Sequence, residues 1–236
     1  MSVSKRNHNI VLARWRTVYE KERFYIEHSR LSTAHLKARI CGYLAGDGNV
    51  AVRRERDPSK VHHTIRFYPD HKSLIRPFNE AFFKVYNKKL KVTDYGSFFY
   101  LRGDSKAVVE DLLSFCSFGI NGWRTPKPMD RKSKAEWLRA FFDSESYVCK
   151  NYIRVKTVNK SGMCDVRKLL LYFGIVPRTY VYEPSQSKWQ TNYILDVKPK
   201  YFARFSKSIG FNHSMKAAKL QSLLKSSATN SYAGIA

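Results

Sequence analysis

Two nine-residue stretches, 98 positions apart, carry matching residue types at matching places. The first is Ile40-Cys41-Gly42-Tyr43-Leu44-Ala45-Gly46-Asp47-Gly48, and the second is Leu138-Arg139-Ala140-Phe141-Phe142-Asp143-Ser144-Glu145-Ser146. Gly42 aligns with Ala140 and Gly46 with Ser144, and an acid follows directly in both, Asp47 and Glu145. On a helix, positions four apart share a face. Small side chains on that face let two backbones approach closely. Helices packed in this way bring both carboxylates to one end of their interface. Two anions brought together and drawn out of water repel. A hard divalent cation relieves the repulsion, because Mg²⁺ takes carboxylate and phosphate oxygens together. Such a site can activate water and stabilise a leaving oxygen, which is the chemistry of phosphodiester hydrolysis. A carboxylate at a helix C-terminus opposes the helix dipole, so a purely structural choice of residue would avoid it.

The elements around these stretches repeat. In the first half the periodicity predicts a helix over Ser32 to Ala45, strands near Val50 to Arg54 and Thr64 to Tyr68, and a helix over Leu74 to Tyr86. Two more strands, Lys89 to Thr93 and Ser97 to Arg102, and a helix over Lys106 to Phe115 close the unit. The second half opens on a capping box, Ser133-x-x-Glu136, which starts a helix running to about Asp143. Strands near Tyr147 to Val148 and Tyr152 to Thr157 follow, then a helix near Val166 to Phe173. A hairpin of Arg178 to Glu183 with Thr191 to Val197 leads to a helix over Tyr201 to Ile209, which stops at Gly210. The same order used twice predicts two similar units about a pseudo-twofold axis. We place a basic N-terminal extension at 1–32, the first unit at 33–122, a linker at 123–132, the second unit at 133–225 and a frayed tail at 226–236.

The 236 residues carry 43 Lys or Arg against 19 Asp or Glu, a formal charge of +24. A charge of this size usually meets a polyanion. Nucleic acid is the leading partner, and an anionic membrane surface is a distant second. Several cations alternate with apolar residues in strand-like segments, which points to a basic sheet face rather than a basic tail. In Ile153-Arg154-Val155-Lys156, Arg154 and Lys156 share one face; in Thr64-Ile65-Arg66-Phe67-Tyr68, so do Thr64, Arg66 and Tyr68. A ribbon of this kind fits the major groove, where arginine binds guanine bidentately. Further DNA-contact candidates are Arg53, Arg54, Arg56, Arg102, Lys150, Arg178 and Lys198. The alternative for each is a solvated edge-strand charge that discourages aggregation. The four cysteines lie far apart in sequence, which disfavours a zinc site or a disulfide framework. No run of about eighteen apolar residues is long enough for a membrane span. Met1 to Arg16 has no signal-peptide core. The expected location is therefore intracellular: cytoplasm, nucleoid or an organelle.

The paired stretches resemble the two motifs of single-chain LAGLIDADG homing endonucleases. ICGYLAGDG is close to the variant with a non-acidic sixth position, here Ala45. LRAFFDSES keeps Asp143 there, places Glu145 at the acidic eighth position, and has Ser146 instead of the closing glycine. The resemblance spans about 33–225. It implies an α+β fold of two pseudo-symmetric αββαββα units, packed through their LAGLIDADG helices, with saddle-shaped antiparallel sheets straddling duplex DNA. It implies that Asp47 and Glu145 bind catalytic Mg²⁺, with Mn²⁺ or Ca²⁺ able to occupy the site, and that the backbone carbonyls of Gly46 and Ser144 assist. It assigns Asp143 a structural, capping role. Family members usually carry a lysine on a strand near the metals. Lys156 fits that place, and its counterpart, Tyr68, would make the site asymmetric. The implied activity is a monomeric, site-specific, intron-borne endonuclease cutting a long non-palindromic duplex. An intron RNA maturase, or a DNA-binding protein without activity, is the alternative. The group His62, His63, Asp70 and His71 could belong to a single-metal nuclease of another class, but no matching Asn/His helix pattern follows it.

Overall fold

The computed structural model of the chain describes residues 3–57, 60–186 and 190–233. The first unit comprises α1 (Val3–Asp47), β1 (Gly48–Arg54), β2 (Val61–Phe67), α2 (Ile75–Tyr86), β3 (Lys91–Asp94), β4 (Phe99–Asp104) and α3 (Lys106–Phe115). The second comprises α4 (Arg131–Glu145), β5 (Tyr147–Cys149), β6 (Tyr152–Thr157), α5 (Lys160–Tyr172), β7 (Arg178–Tyr182), β8 (Asn192–Val197) and α6 (Phe202–Ser208), followed by α7 (Ser214–Ala233). Each unit holds an antiparallel four-stranded sheet, ordered β1-β2-β4-β3 in one and β5-β6-β8-β7 in the other. The two orders are equivalent, as the repeat predicted.

The strands alternate as their sequences require. Ile65, Phe67, Leu101, Ile153, Val155, Leu195 and Val197 are buried, while Arg66, Arg154 and Lys156 lie on the opposite face. Aromatic side chains fill the first unit, where Phe67 stacks on Phe78 at 4.6 Å and Phe78 on Phe82 at 5.8 Å. In the second, Trp137 stacks on Phe141 at 5.0 Å and Phe142 meets Phe205 at 5.1 Å.

The structure departs from the sequence expectation in four places. The extension and the first motif helix are one 45-residue helix rather than two elements. No Gly or Pro interrupts 3–41. Ser29 and Thr33, which could have started a new helix, instead bond back to the Ile26 and Ser29 carbonyls. The helix docks from Tyr19 onward, whose hydroxyl donates to Glu110 at 2.7 Å. Its free end leaves Trp15 68% exposed. Because α1 ends at Asp47, that free end lies at the opposite end of the helix from the acid.

The capping box does not form. Asp130 caps α4 by accepting from Ser133 N at 2.8 Å, and Glu136 is taken by Arg39 and Arg139, each at 2.7 Å. Ion pairing between helices has displaced the local motif. The presumed linker is packed: Trp123 is buried against Phe141 at 4.9 Å, its carbonyl accepts from Asn159, and Arg124 pairs with Asp165. Lastly, α7 extends the chain well past Gly210 and includes much of the expected tail; residues 234–236 lie outside the described residues.

Candidate active site

The small faces of α1 and α4 meet. A Cβ on Gly42 would lie 2.4 Å from the Trp137 carbonyl oxygen and 2.9 Å from Ala140 Cβ. A Cβ on Gly46 would lie 2.6 Å from Ser144 Cβ and 3.2 Å from Glu145 Cγ. Only glycine permits this approach, which carries Asp47 and Glu145 together to the paired helix ends. Both acids are half-buried. Burial, then the nearby Asp70 charge, pushes Asp47 up to about 6, against the opposing influence of the Ser144 hydroxyl and Lys216. Burial, then the Asp47 charge, pushes Glu145 up to about 7, again opposed by Lys216. The Asp47 charge raising Glu145 is the behaviour of neighbouring carboxylates in a desolvated place. Two hard oxygen donors of this kind fit a divalent cation that also takes phosphate or water oxygens. Among the described residues no three His, Cys, Asp or Glu side chains are grouped to hold a metal.

Asp143 is buried and its carboxylate faces α7 rather than the acid pair. It accepts from Asn212 N and His213 N, both at 2.9 Å, and from the Tyr43 hydroxyl at 3.0 Å. Burial pushes it up to about 6 despite those bonds. It joins both motif helices to the start of α7.

Lys216, on the first turn of α7, is the residue sequence reasoning missed. Its ammonium donates to the carbonyls of Asp143 at 2.5 Å, Ser144 at 3.2 Å and Phe142 at 3.4 Å. It therefore satisfies the C-terminal carbonyls of α4. Burial lowers its pKa, while the charges of Asp70, Asp143, Asp47 and Glu145 hold it up. Asp70 was grouped with the histidines in sequence, yet its carboxylate acts on Asp47 and lies 3.6 Å from His213. No spacing signal marks Lys216, because α7 follows the repeat and has no counterpart in the first unit. The Ser144 carbonyl, proposed from resemblance as a metal ligand, already accepts from this lysine.

Lys156 lies exposed on the outer face of β6, opposite Ile194. Arg66 and Tyr68 occupy the equivalent face of the first unit, where Tyr68 stacks on Tyr100 at 5.2 Å. Arg53, Arg54 and Arg56 are exposed at the β1 end, and Lys150 is exposed in the β5–β6 turn. Arg102 pairs with Asp104 at 3.1 Å, Arg178 lies over the Tyr180 ring at 4.8 Å, and Lys198 is half-buried after β8. Arg154 is tied to Asp196. The histidines are dispersed: His62 pairs with Glu55 at 2.7 Å, and His71 bonds Ser73 at 2.9 Å. Among the described residues no helix is long and apolar enough to cross a membrane.

Residues 132–210 match the family model of the LAGLIDADG-like domain. Structures of mesophilic variants of the homing endonuclease I-DmoI superpose with a TM-score of 0.62 at 13% identity, covering 75% of this chain and 90% of theirs. I-DmoI in complex with DNA and Mn gives 0.60 at 13%, covering 75% and 97%. Full-length DUF199/WhiA from Thermatoga maritima gives 0.53 at 12%, covering 87% of this chain and 66% of that one. At these identities the superpositions establish a shared fold. A curated relative, a glutamine–fructose-6-phosphate aminotransferase of Methanocaldococcus jannaschii, is 27% identical over 196 residues, which span 78% of this chain but 17% of that protein's length. Two motif helices packed through their small faces and a sheet order used twice thus accompany a LAGLIDADG-like domain over residues 132–210 and a fold shared with I-DmoI.

Proposed function

We propose that the protein is a site-specific DNA endonuclease that hydrolyses phosphodiester bonds with divalent metal, acting as a monomer whose two unlike halves read a non-palindromic site. The observation that carries this reading is the convergence of Asp47 and Glu145 at the end of the α1–α4 interface, with both carboxylates held above their usual range. A Mg²⁺ ion there would supply Lewis acidity and a water of lowered pKa. The chain's own part is positional. Asp47 and Glu145 would hold the ion against the scissile phosphate, and Gly42 and Gly46 set the spacing. Arg66, Arg154, Lys156 and their neighbours would hold the duplex. Lys216 keeps the α4 carbonyls paired and places a positive charge beside the acids.

The deciding experiment selects duplexes from a randomised pool and incubates the bound species with and without Mg²⁺. Metal-dependent double-strand cutting at one position is expected, and specific binding without any cutting would sink the nuclease assignment. That second outcome is the rival reading, a DNA-binding protein without cleavage. It is favoured by one observation, the Lys216 ammonium on the Ser144 carbonyl. Strong preference for intron RNA over duplex DNA would instead indicate a maturase.

Two further results are expected. Lys216→Met should slow cleavage at least roughly tenfold, since removing an ammonium beside a buried charged site costs more than about 1.4 kcal/mol. Duplex affinity should stay near that of the parent; single-turnover rates beside gel-shift titrations measure both. Secondly, about ten phosphate contacts would make log K fall against log[salt] with a slope of about −9. An affinity indifferent to salt would contradict a basic binding face.

A further inference from the structure

The two sheets are not electrostatically equivalent at the register position nearest the acids. In the second sheet Tyr147, two residues past Glu145, stands opposite Arg154, Arg154 opposite Asp196, and Asp196 opposite Arg178. In the first sheet the same row is Asn49, Arg66, Arg102 and Lys91. A buried carboxylate thus occupies one basic face where the other carries an arginine.

Asp196 is fully paired. Its Oδ1 accepts from Arg154 Nε at 2.7 Å, and its Oδ2 accepts from Arg154 Nη2 at 2.9 Å and from the Tyr180 hydroxyl at 2.6 Å. The guanidinium also lies over the Tyr152 ring at 4.0 Å. This side-on grip consumes one N–H on Nε and one on Nη2. Of the guanidinium's five donors, those remaining are two on Nη1 and one on Nη2, at the outer end of a fixed plane. That end-on fork matches the O6 and N7 acceptors of guanine. The carboxylate also offsets the arginine's charge, which weakens attraction to a phosphate while leaving the neutral base edge a good partner. Arg66 has no such brace: its Nε has no hydrogen-bond partner, and its cross-strand neighbours are the neutral Asn49 and another cation, Arg102. Arg102 is held through the same two nitrogens by Asp104 of its own strand, but at 3.1 and 3.3 Å and with both side chains exposed, so this brace is looser than the buried one at Asp196.

We infer that Arg154 reads a guanine in the half-site beneath the second sheet, with Asp196 and Tyr180 as positioning residues. The inference rests on the protein binding duplex DNA. It is tested with the full chain by measuring affinity for its selected site and for every single base-pair variant. The parent should lose roughly tenfold or more when one guanine of one half-site is replaced. Arg154→Lys keeps the charge but not the fork, so preference at that position should vanish while preferences elsewhere persist. Asp196→Asn should flatten the same position and, with a charge unmasked, tighten binding to unrelated duplex and steepen its salt dependence. Tyr180→Phe, which changes no charge, should weaken that preference partially. A merely structural Asp196 would lower the melting temperature and leave the preference profile of the folded protein intact. Preference unchanged in Arg154→Lys overturns the inference, however the Asp196 variant folds. Failure of the parent to bind any duplex would instead remove the DNA-binding reading beneath it.

Discussion

Asp47→Asn and Glu145→Gln should each reduce cleavage by at least roughly a thousandfold while duplex affinity stays within a few-fold of the parent. A divalent ion contributes several kcal/mol to the transition state of phosphoryl hydrolysis, and each ~1.4 kcal/mol is tenfold in rate. The amides preserve shape but not the anionic charge that would hold the ion. On the proposed reading, binding depends on the basic strands, so it should survive. Single-turnover cleavage in Mg²⁺ beside gel-shift titration in Ca²⁺ separates the two properties. Normal cutting by either variant would show that the paired acids are not the site.

The same substitutions should stabilise the metal-free protein at high pH. Burial pushes Asp47 up to about 6 and Glu145 up to about 7. Over the interval below these values the folded chain keeps protons that the unfolded chain has released. Stability attributable to these groups therefore falls as pH rises from about 4 through about 7, and the deficit persists above it. An uncharged amide removes that deficit. Thermal melts in chelator should give Glu145→Gln an advantage of about 1–3 kcal/mol near pH 8 that fades near pH 4. A variant less stable than the parent at pH 8 would mean that the carboxylates are compensated, and that the site has no need of a cation.

The second large effect is at Gly42. Glycine to alanine inside a helix ordinarily stabilises by up to about 1 kcal/mol. Here the added Cβ meets the Trp137 carbonyl oxygen at 2.4 Å, and a backbone atom has no rotamer to escape into. Overpacking of this kind costs about 1–3 kcal/mol, so the sign reverses. Gly42→Val should lose several kcal/mol and pry the acids apart, abolishing cleavage in whatever fraction still folds. Gly122→Ala is the control, because its Cβ would meet only the Phe118 carbonyl oxygen, at 3.8 Å. Denaturant melts of the three variants check the ordering, and equal effects at Gly42 and Gly122 would contradict close packing of α1 on α4.

Sequence alone carried the motif helices, the shared small faces and the acid at the end of each, because these follow from 3.6-residue periodicity and residue size. It likewise carried the double repeat and the outward placement of Arg66 and Arg154, since strand alternation is equally local. It could not decide that α1 runs unbroken through the extension, because the choice between one helix and two was made by the side chains of Ser29 and Thr33 and by docking on α3. Nor could it find Lys216 beside the acids or Asp196 beneath Arg154. Those partners lie 71 residues beyond Glu145 and 42 beyond Arg154 in the chain. Spacing rules stop at the end of an element. Which charge neutralises which is settled only when separate elements pack, because burial is what makes an unpaired carboxylate or ammonium costly.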